Sequence, residues 1–495
     1  MSSELEFKFR VPAARLGSLA KAMKRAGGRA ERLQAVYFDT ADERLAKHGV
    51  TLRLRREGRR WIQTVKVGTA DPLDRLEDNA VVAVQAAAAP VIDLTRHDGS
   101  AVAAALQRAL GGTDVAALLP RYRTDVMRTS RRVSSDGARV ELALDVGAIT
   151  AGERSLPVRE LELELKSGPV GPWLALASRW AAAHRLSIST VSKAERGAWL
   201  VNGAGSADAV KAVLPEIDRK ASPAAFFDAC IEASLAQVLA NGSRVADGTG
   251  GAEVVHQLRV GLRRLRTALR ELAPFGRAID PAWEATLHRA FLELGADRDR
   301  TVVLPKIAAK ISACGAPALA PVGMAARVRR PETVVKDARL QRTLLTLIAL
   351  CREGAPAAGA GAATAGGARA ALRKLLDRLL KKVERDSHRF ADLEPALQHR
   401  VRRRLKRLRY LSEFAAPLFG DRRVARYLER WEQVQDALGE LTDDGVAADF
   451  YRARVDAEPE AWFAVGWLAA GQAAATEQCG RALRRASKAP PFWRR

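Results

Sequence analysis

The hydrophobic period of this chain changes once, near residue 200, and that change restricts it to two different architectures in series. Up to that point apolar and charged residues often alternate. Thr51-Leu-Arg-Leu-Arg, Trp61-Ile-Gln-Thr-Val-Lys, Arg139-Val-Glu-Leu-Ala-Leu-Asp and Glu160-Leu-Glu-Leu-Glu-Leu-Lys are clear cases. Alternation places one set of side chains on each face of a strand. Two helical patterns interrupt it, Pro12 to Ala26 and Pro172 to Arg185. After Asn202-Gly-Ala-Gly-Ser the alternation stops, and from Ala221 the chain is rich in Ala, Leu and Arg at helical spacing. The sequence predicts an α+β antiparallel domain over 1–203, a linker over 204–218 and an all-α domain over 219–490. A chain of 495 residues has room for both. Gly354 to Gly367 is an Ala/Gly tract and reads as a flexible connector inside the helical part.

The helical part repeats itself. His256-Gln-Leu-Arg259-Val-Gly-Leu-Arg263-Arg264-Leu-Arg266 returns 143 residues later as His399-Arg-Val-Arg402-Arg-Arg-Leu-Lys406-Arg407-Leu-Arg409. A similar segment follows each copy, Leu294-Gly-Ala-Asp-Arg-Asp299 and Leu438-Gly-Glu-Leu-Thr-Asp443. Agreement at so many offsets points to duplication of one helical unit. Offsets 0, 3, 7 and 10 fall on one stripe of a helix. That stripe is cationic in both copies, a costly arrangement in water unless a polyanion neutralises it. The plainer reading is a solvated basic face with carboxylates nearby; retention of the stripe in both copies weighs against it.

In the alternating part, charges share strand faces. Glu4, Glu6 and Lys8 lie on one face, as do Arg53 and Arg55, then Thr64 and Lys66, then Arg75, Glu77 and Asn79. Arg139, Glu141 and Asp145 follow, then Glu160, Glu162 and Glu164. A single such strand is an ordinary solvent-facing edge. Five or six together fit a sheet closed into a barrel with a polar lumen. Arg and Lys there would clamp phosphate, Arg in a bidentate fashion. Three Glu at period two repel one another unless a cation lies among them, and Mg²⁺ or Mn²⁺ prefers such oxygen ligands.

Charge and motif content exclude several classes. Lys and Arg number 81 against 57 Asp and Glu, a formal net charge of +24, with most of the excess in the helical part. A chain this basic is expected to meet a polyanion. The four cysteines are far apart, with no CxxC pair, so neither a disulfide framework nor a Cys-based zinc site is expected. There is no P-loop and no HExxH. His48, His97, His184, His288 and His388 read as surface or packing residues, and Trp173, Trp180 and Trp199 as packing. The charged start and the lack of a long apolar run predict a cytoplasmic protein with no membrane partner.

Two families carry these signatures. The repeated His-centred basic helix resembles the CHAD (conserved histidine α-helical) family over roughly residues 219–490. The resemblance implies two pseudo-symmetric helical bundles whose basic groove binds long-chain inorganic polyphosphate. His256, Arg259, Arg263, Arg264, Arg266, His399, Arg402, Lys406, Arg407 and Arg409 would hold the polymer, and association with polyphosphate granules follows. Glu4-x-Glu6-x-Lys8 resembles the ExExK signature of the CYTH, or triphosphate tunnel metalloenzyme, superfamily. Tyr37-Phe-Asp-Thr, Leu52-Arg-Leu-Arg, Gln63-Thr-Val-Lys, Glu160-Leu-Glu-Leu-Glu-Leu and Ser192-Lys-Ala-Glu-Arg-Gly support it in order. The two together resemble bacterial CYTH–CHAD inorganic triphosphatases. The resemblance implies an antiparallel β-tunnel and Mg²⁺- or Mn²⁺-dependent hydrolysis of inorganic triphosphate. Glu4, Glu6 and Lys8 would be catalytic. Glu4, Glu6, Asp145, Glu160, Glu162 and Glu164 would form the metal face, with two of the last three as ligands. Lys8, Arg53, Arg55, Lys66, Arg75, Arg128 and Lys193 would contact triphosphate. Arg75-Leu-Glu-Asp-Asn lacks the family's aromatic, and Asn79 stands where an acid could be. The alternatives are a non-catalytic polyphosphate-binding protein and, less in keeping with the lumen, nucleic-acid binding through the basic helices.

Overall fold

The computed structural model describes residues 3–25, 27–69, 74–83, 90–113, 115–203, 207–275, 279–319, 329–353 and 367–494. It divides into two compact units. The first holds residues 1–210 together with 239–254 and 335–353; the second holds 211–238, 255–334 and 354–495. The Ala/Gly tract 354–366, and residues 204–206 of the expected linker, lie outside the described residues.

The first unit is built on a closed barrel. Its strands are β1 (Ser3–Arg10), β2 (Arg29–Asp39), β3 (Val50–Glu57), β4 (Arg60–Gly68), β5 (Asp74–Val82), β6 (Leu119–Ser135), β7 (Ala138–Ala151) and β8 (Arg154–Ser167). They run in the order β5-β4-β3-β2-β6-β7-β8-β1, and β1 pairs again with β5 to close the ring. Each of these pairings is antiparallel. The short strand β9 (Ser187–Ile188) pairs with the end of β1.

Alternation in this barrel is turned inside out relative to a simple barrel core. On β8, Glu160, Glu162 and Glu164 point one way, while Leu161 and Leu163 are buried on the other side. On β1, Phe7 and Phe9 lie on the apolar side, fully buried. The apolar core therefore wraps the outside, under helices α1 (Ala13–Lys24) and α4 (Val170–His184). Trp173 of α4 packs against Phe7 with ring centroids 4.6 Å apart and planes tilted by 31°, and donates its indole N–H to the Leu163 carbonyl at 3.2 Å. Burying a side chain of this size stabilises by roughly 2–3 kcal/mol. On the far wall Leu52, Leu54, Val65 and Val67 pack against the short helices α2 (Arg44–Lys47) and α3 (Ala103–Leu110). His97 is buried between Gln63 and Asp78, so Gln63 of the Gln63-Thr-Val-Lys segment anchors the outer layer and does not face the lumen. Helix α5 (Lys193–Asn202) packs against β6, β7 and β8.

Helices continue as α6 (Pro223–Ala246), α7 (Ala252–Glu271), α8 (Pro281–Arg298), α9 (Leu304–Ala313), α10 (Pro331–Val335), α11 (Ala338–Arg352), α12 (Gly367–Ser387), α13 (Pro395–Phe419), α14 (Asp421–Arg452) and α15 (Ala461–Ser487). By length and composition α6 would be long and apolar enough to cross a membrane, but 56% of its most apolar stretch is buried, as in a core helix. The last part of α6, from Leu239, and all of α11 belong to the barrel's unit: Ser243 Oγ accepts from the Thr190 amide at 3.0 Å, and Gln341 Oε1 accepts from the Ile188 amide at 2.7 Å.

In the second unit the repeated motif forms α7 and α13. The two helices are tied by near-reciprocal ion pairs, Arg264 to Glu413 and Arg407 Nη1 to Glu271 Oε1, the latter at 2.7 Å. The Leu-Gly segments then diverge. In the first copy α8 passes through a π-helical turn, Asp299–Val303, into α9. Pro305 lacks the N–H that an α-helical ladder needs there, so the turn widens. In the second copy α14 runs as one 32-residue helix through Leu438 to Asp444, with no proline in it.

Candidate functional site

The barrel lumen is a cavity of about 260 Å³ lined mainly by charged side chains. Its walls follow from strand register. Across β1, β8 and β7, Glu6 faces Glu164, and Glu164 faces Glu141. All three line the cavity. One step along, Lys8 faces Glu162; one step further, Arg10 faces Glu160, Glu160 faces Asp145, and Asp145 faces Arg128.

The deeper rows are bound by cations of the chain itself. Arg128 makes a bidentate pair with Asp145, both bonds 2.7 Å, and reaches Glu162 at 2.5 Å. Lys193 Nζ sits 2.8 Å from Asp145, 2.6 Å from Glu160 and 2.8 Å from Glu162. These three carboxylates form a tight acidic cluster with oxygen atoms suited to a metal, and an ammonium lies among them. Burial alone would raise the Glu162 pKa, but Lys193, Arg128 and Lys8 outweigh it and hold the acid well below its usual range. For Arg128 burial opposes the charge, and Asp145 and Glu162 more than restore it. Lys193 is likewise held charged by Asp145, Glu160 and Glu162 against burial.

Helix α5 aims Lys193, and its sequence shows how. Ser192 caps the helix by accepting from the Glu195 amide, and Glu195 bonds back to the Ser192 amide at 2.8 Å. Arg196 reaches down to Glu160. At Gly197 a Cβ would run into the Tyr122 ring, so only glycine lets the helix sit this close. Tyr122 in turn stacks on Tyr37, centroids 4.7 Å apart.

The opposite wall is basic. Arg53 and Arg55 come from β3, and Lys66 from β4. Arg53 Nη1 lies 3.4 Å from the Tyr37 hydroxyl; burial opposes ionisation of that phenol, yet the Arg53 charge pulls its pKa below the usual value. Burial, then Arg53, brings the Arg55 pKa down to about 10. The Nε atoms of Arg53 and Arg55 are buried with no hydrogen-bond partner. Lys66 pairs with Glu77, and Asn79 donates to Glu77 at 3.0 Å while accepting from Thr64 at 2.8 Å.

Among the residues expected from sequence, Glu6, Lys8, Arg53, Arg55, Lys66, Arg128, Asp145, Glu162, Glu164 and Lys193 line this one cavity. Glu160 does not. It is 0% exposed and gripped by Arg10, Arg196 and Lys193, which brings its pKa down to about 2 against burial. The side chains of Glu4 and Arg75 lie outside the described residues; their backbones pair across the β1–β5 closure. Glu77 and Glu141, on charged faces by parity but given no role, also line the lumen, as do Lys166 and Tyr37. For Lys166 the available signal was its parity with Glu164. Among the described residues Glu141 meets only Arg132, at 3.6 Å, whose side chain is 88% exposed and screens it weakly.

The second unit carries the basic face. Arg259, Arg263 and Arg266 place their guanidinium carbons 4.6, 4.8 and 5.6 Å from the Phe291 ring centroid. Gly295 makes this possible: a Cβ there would collide with Arg259 Nη1. The two copies of the stripe act on one another. Burial, then Arg263, Arg402, Arg409 and Arg259, pushes the Lys406 pKa down to about 5. Burial and Arg263 lower Arg402, and burial with Arg403, Arg402 and Lys406 lowers His399. Among the described residues no ion pair reaches Arg259, Arg263, Arg402 or Lys406. Four of the ten expected polymer contacts are engaged elsewhere. Arg264 is 1% exposed on Glu413, Arg266 holds Glu284 at 2.7 Å, Arg407 holds Glu271, and Arg409 lies 3.3 Å from Glu413. Sequence spacing placed Arg264 and Arg407 beside the stripe at offset 8, the side that packs helix on helix.

Comparison with known proteins finds two family models in series along the chain. Residues 2–198 match the family model of the CYTH domain, and residues 229–452 match that of the CHAD domain. An inorganic triphosphatase of Haemophilus influenzae is 30% identical over 164 residues, 32% of this chain and 44% of that protein. The match thus spans under half the length of that curated relative. Among solved structures, the CHAD domain of the plant Ricinus communis is 27% identical, with a TM-score of 0.48, covering 57% of this chain and 98% of its own. A candidate adenylyl cyclase from Hippeastrum with a dominant triphosphatase activity is 18% identical, with a TM-score of 0.30, covering 40% of this chain and 96% of its own.

Proposed function

The chain belongs to the proteins that join a CYTH domain to a CHAD domain, and on that premise we propose that its barrel lumen hydrolyses inorganic triphosphate to diphosphate and phosphate. The observation that carries this reading is the division of the lumen into two walls. Arg53 and Arg55 present buried, unsatisfied guanidinium nitrogens opposite the Glu6–Glu164–Glu141 row. Among the described residues, seven basic and six acidic side chains line the cavity, so the lumen alone comes close to neutral. A triphosphate entering it brings several negative charges that this balance does not offset. A divalent cation fits that deficit, and the carboxylate row is the hard oxygen donor set that Mg²⁺ or Mn²⁺ prefers.

Glu6 and Glu164, with Glu141 beside them, would hold the ion. Held there, a divalent ion would supply positive charge against the phosphates during phosphoryl transfer. The chain's own residues do the rest. Arg53, Arg55 and Lys66 hold the phosphate chain from the basic wall, and the Tyr37 hydroxyl fixes the Arg53 fork. Lys8 bridges the two carboxylate rows, 3.4 Å from Glu6 and 4.0 Å from Glu162, and would turn its ammonium to the phosphate chain. Arg128 and Lys193 neutralise the deep carboxylates, so those rows do not repel the substrate. Fixed orientation of this kind supplies much of the catalysis in phosphoryl transfer.

For the helical part, the proposed ligand is long-chain inorganic polyphosphate. Arg259, Arg263, Arg402 and Lys406 crowd together with no carboxylate paired to them among the described residues, a state that a polyanion relieves. The corresponding location is the cytoplasm, at polyphosphate granules.

The test is phosphate release by the full chain from triphosphate, ATP and long-chain polyphosphate with Mg²⁺ or Mn²⁺. Triphosphate should be turned over fastest. Glu6→Ala and Glu164→Ala should each lower the rate by about 10²-fold or more without loss of fold. Wild-type turnover retained in both variants would remove the lumen from consideration. Polyphosphate binding with no hydrolysis of any of the three would favour a non-catalytic binding protein.

A further inference from the structure

The final turn of α6 and the residue that follows it reach the barrel strands and α5 at three points. Ser243 accepts from the Thr190 amide at 3.0 Å. Arg244 lies 3.5 Å from Glu195 and 5.6 Å from the Trp199 ring centroid, so it holds α5 from outside. Asp247 binds Nη2 of Arg10 on β1. The loop that carries Asp247 is fixed in turn, because Thr249 accepts from the Ala207 amide at 2.8 Å.

Arg10 is shared. Its Nη1 donates to Glu160 Oε1 at 2.8 Å while Nη2 is occupied by Asp247. The other oxygen of Glu160, Oε2, lies 2.6 Å from Lys193 Nζ. Glu160 is fully enclosed, and its two oxygens are divided among Arg10, Arg196 and Lys193. An arginine deprived of one carboxylate turns its planar fork onto the other, since bidentate pairing is its preferred geometry. Asp247 therefore keeps Arg10 on one oxygen of Glu160 and leaves the second for Lys193.

We propose that Asp247, which lies beyond residues 2–198 of the CYTH match, is a positioning residue for the lumen lysine Lys193, acting through Arg10 and Glu160. Its effect on catalysis rests on the reading of the lumen as a triphosphate site; its effect on Lys193 does not. Without Asp247, Arg10 takes both oxygens of Glu160, and Lys193 loses one of its three carboxylates and moves toward the cavity.

The full-length protein tests this in two readouts. The first is the rate at which Lys193 is reductively methylated by formaldehyde and borohydride, followed by mass spectrometry. Asp247→Asn should raise that rate threefold or more, and Asp247→Glu should restore it. Arg10→Gln removes the competitor itself: Lys193 should keep its hold on Glu160, and Asp247→Asn added to it should change nothing further. That pair also serves if Asp247→Asn alone does not fold. The second readout is steady-state hydrolysis of triphosphate with Mg²⁺, where Asp247→Asn should raise KM about fivefold and leave kcat within twofold. Lys193 labelling unchanged in Asp247→Asn, or a labelling increase that persists on the Arg10→Gln background, overturns the proposal whatever the rates do. Altered labelling in a protein whose wild type hydrolyses no triphosphate upholds the positioning and overturns the functional reading instead.

Discussion

Two adjacent arginines show how far apart neighbouring side chains can be in role. Arg263 belongs to the basic face, whereas Arg264 is buried on Glu413 with its guanidinium 4.7 Å from the Phe414 ring. Arg264→Ala should destabilise the protein by on the order of 3 kcal/mol in urea unfolding, because it empties a buried site against Phe414 and leaves Glu413 with Arg409 alone. Arg263→Ala should leave the unfolding midpoint nearly unchanged and weaken polyphosphate binding, measured by titration at fixed salt. Lys406 gives a pH-dependent case. In the folded protein its pKa is pushed down to about 5, while an unfolded lysine titrates near about 10.4. Between those limits the unfolded chain binds the extra proton, so this residue makes stability rise with pH over that window. Lys406→Met abolishes the dependence. The variant should therefore melt higher than wild type at pH 7, and the difference should shrink to nothing above about pH 10.5. An equal gain at every pH would mean that packing, not charge, is responsible.

At the scale of elements, the duplicated helical unit uses the same glycine for different ends. Gly295 in α8 makes room for Arg259, whereas a methyl group added at Gly439 in α14 would meet nothing within 4 Å. In a helix interior an unneeded glycine costs about 1 kcal/mol relative to alanine. Gly439→Ala should thus stabilise by roughly 0.5–1 kcal/mol with polyphosphate affinity unchanged. Gly295→Ala should gain less or lose, and should reduce affinity, because the new methyl displaces Arg259 from Phe291. Thermal melts and binding titrations of the pair give the comparison. Strand β8 carries the other element-level lesson. Its three glutamates share one parity, yet Glu164 faces the open row, Glu162 the middle and Glu160 the sealed network under α5.

For the whole molecule, the barrel's compact unit is not a continuous stretch of chain. A fragment of residues 1–205 carries every lumen side chain but lacks Asp247, Ser243 and Gln341. The Ile188 and Thr190 amides would lose their buried acceptors, and each unmet buried amide costs about 1–3 kcal/mol unless water reaches it. The fragment should melt well below the corresponding transition of the full chain by calorimetry. A fragment as stable as the full chain would show that these contacts contribute nothing to the barrel.

Period and parity alone determined much of this protein. Period two set which charges share a strand face, and hence most of the lumen; helical spacing in two copies set the basic stripe. Both are local properties of backbone geometry, fixed whatever the chain packs against. Only the tertiary structure decided which members of a face remain available. Register across β1, β8 and β7, together with the seat of α5, separates Glu160 from Glu162 and Glu164. Ion pairs between α7 and α13 engage Arg264 and Arg407, which lie beside the stripe. Asp247, far along the chain from Arg10, carried no sequence signal at all. An ion pair depends on distance between groups, and distance between remote residues is set by the closure of the fold rather than by any spacing along the chain.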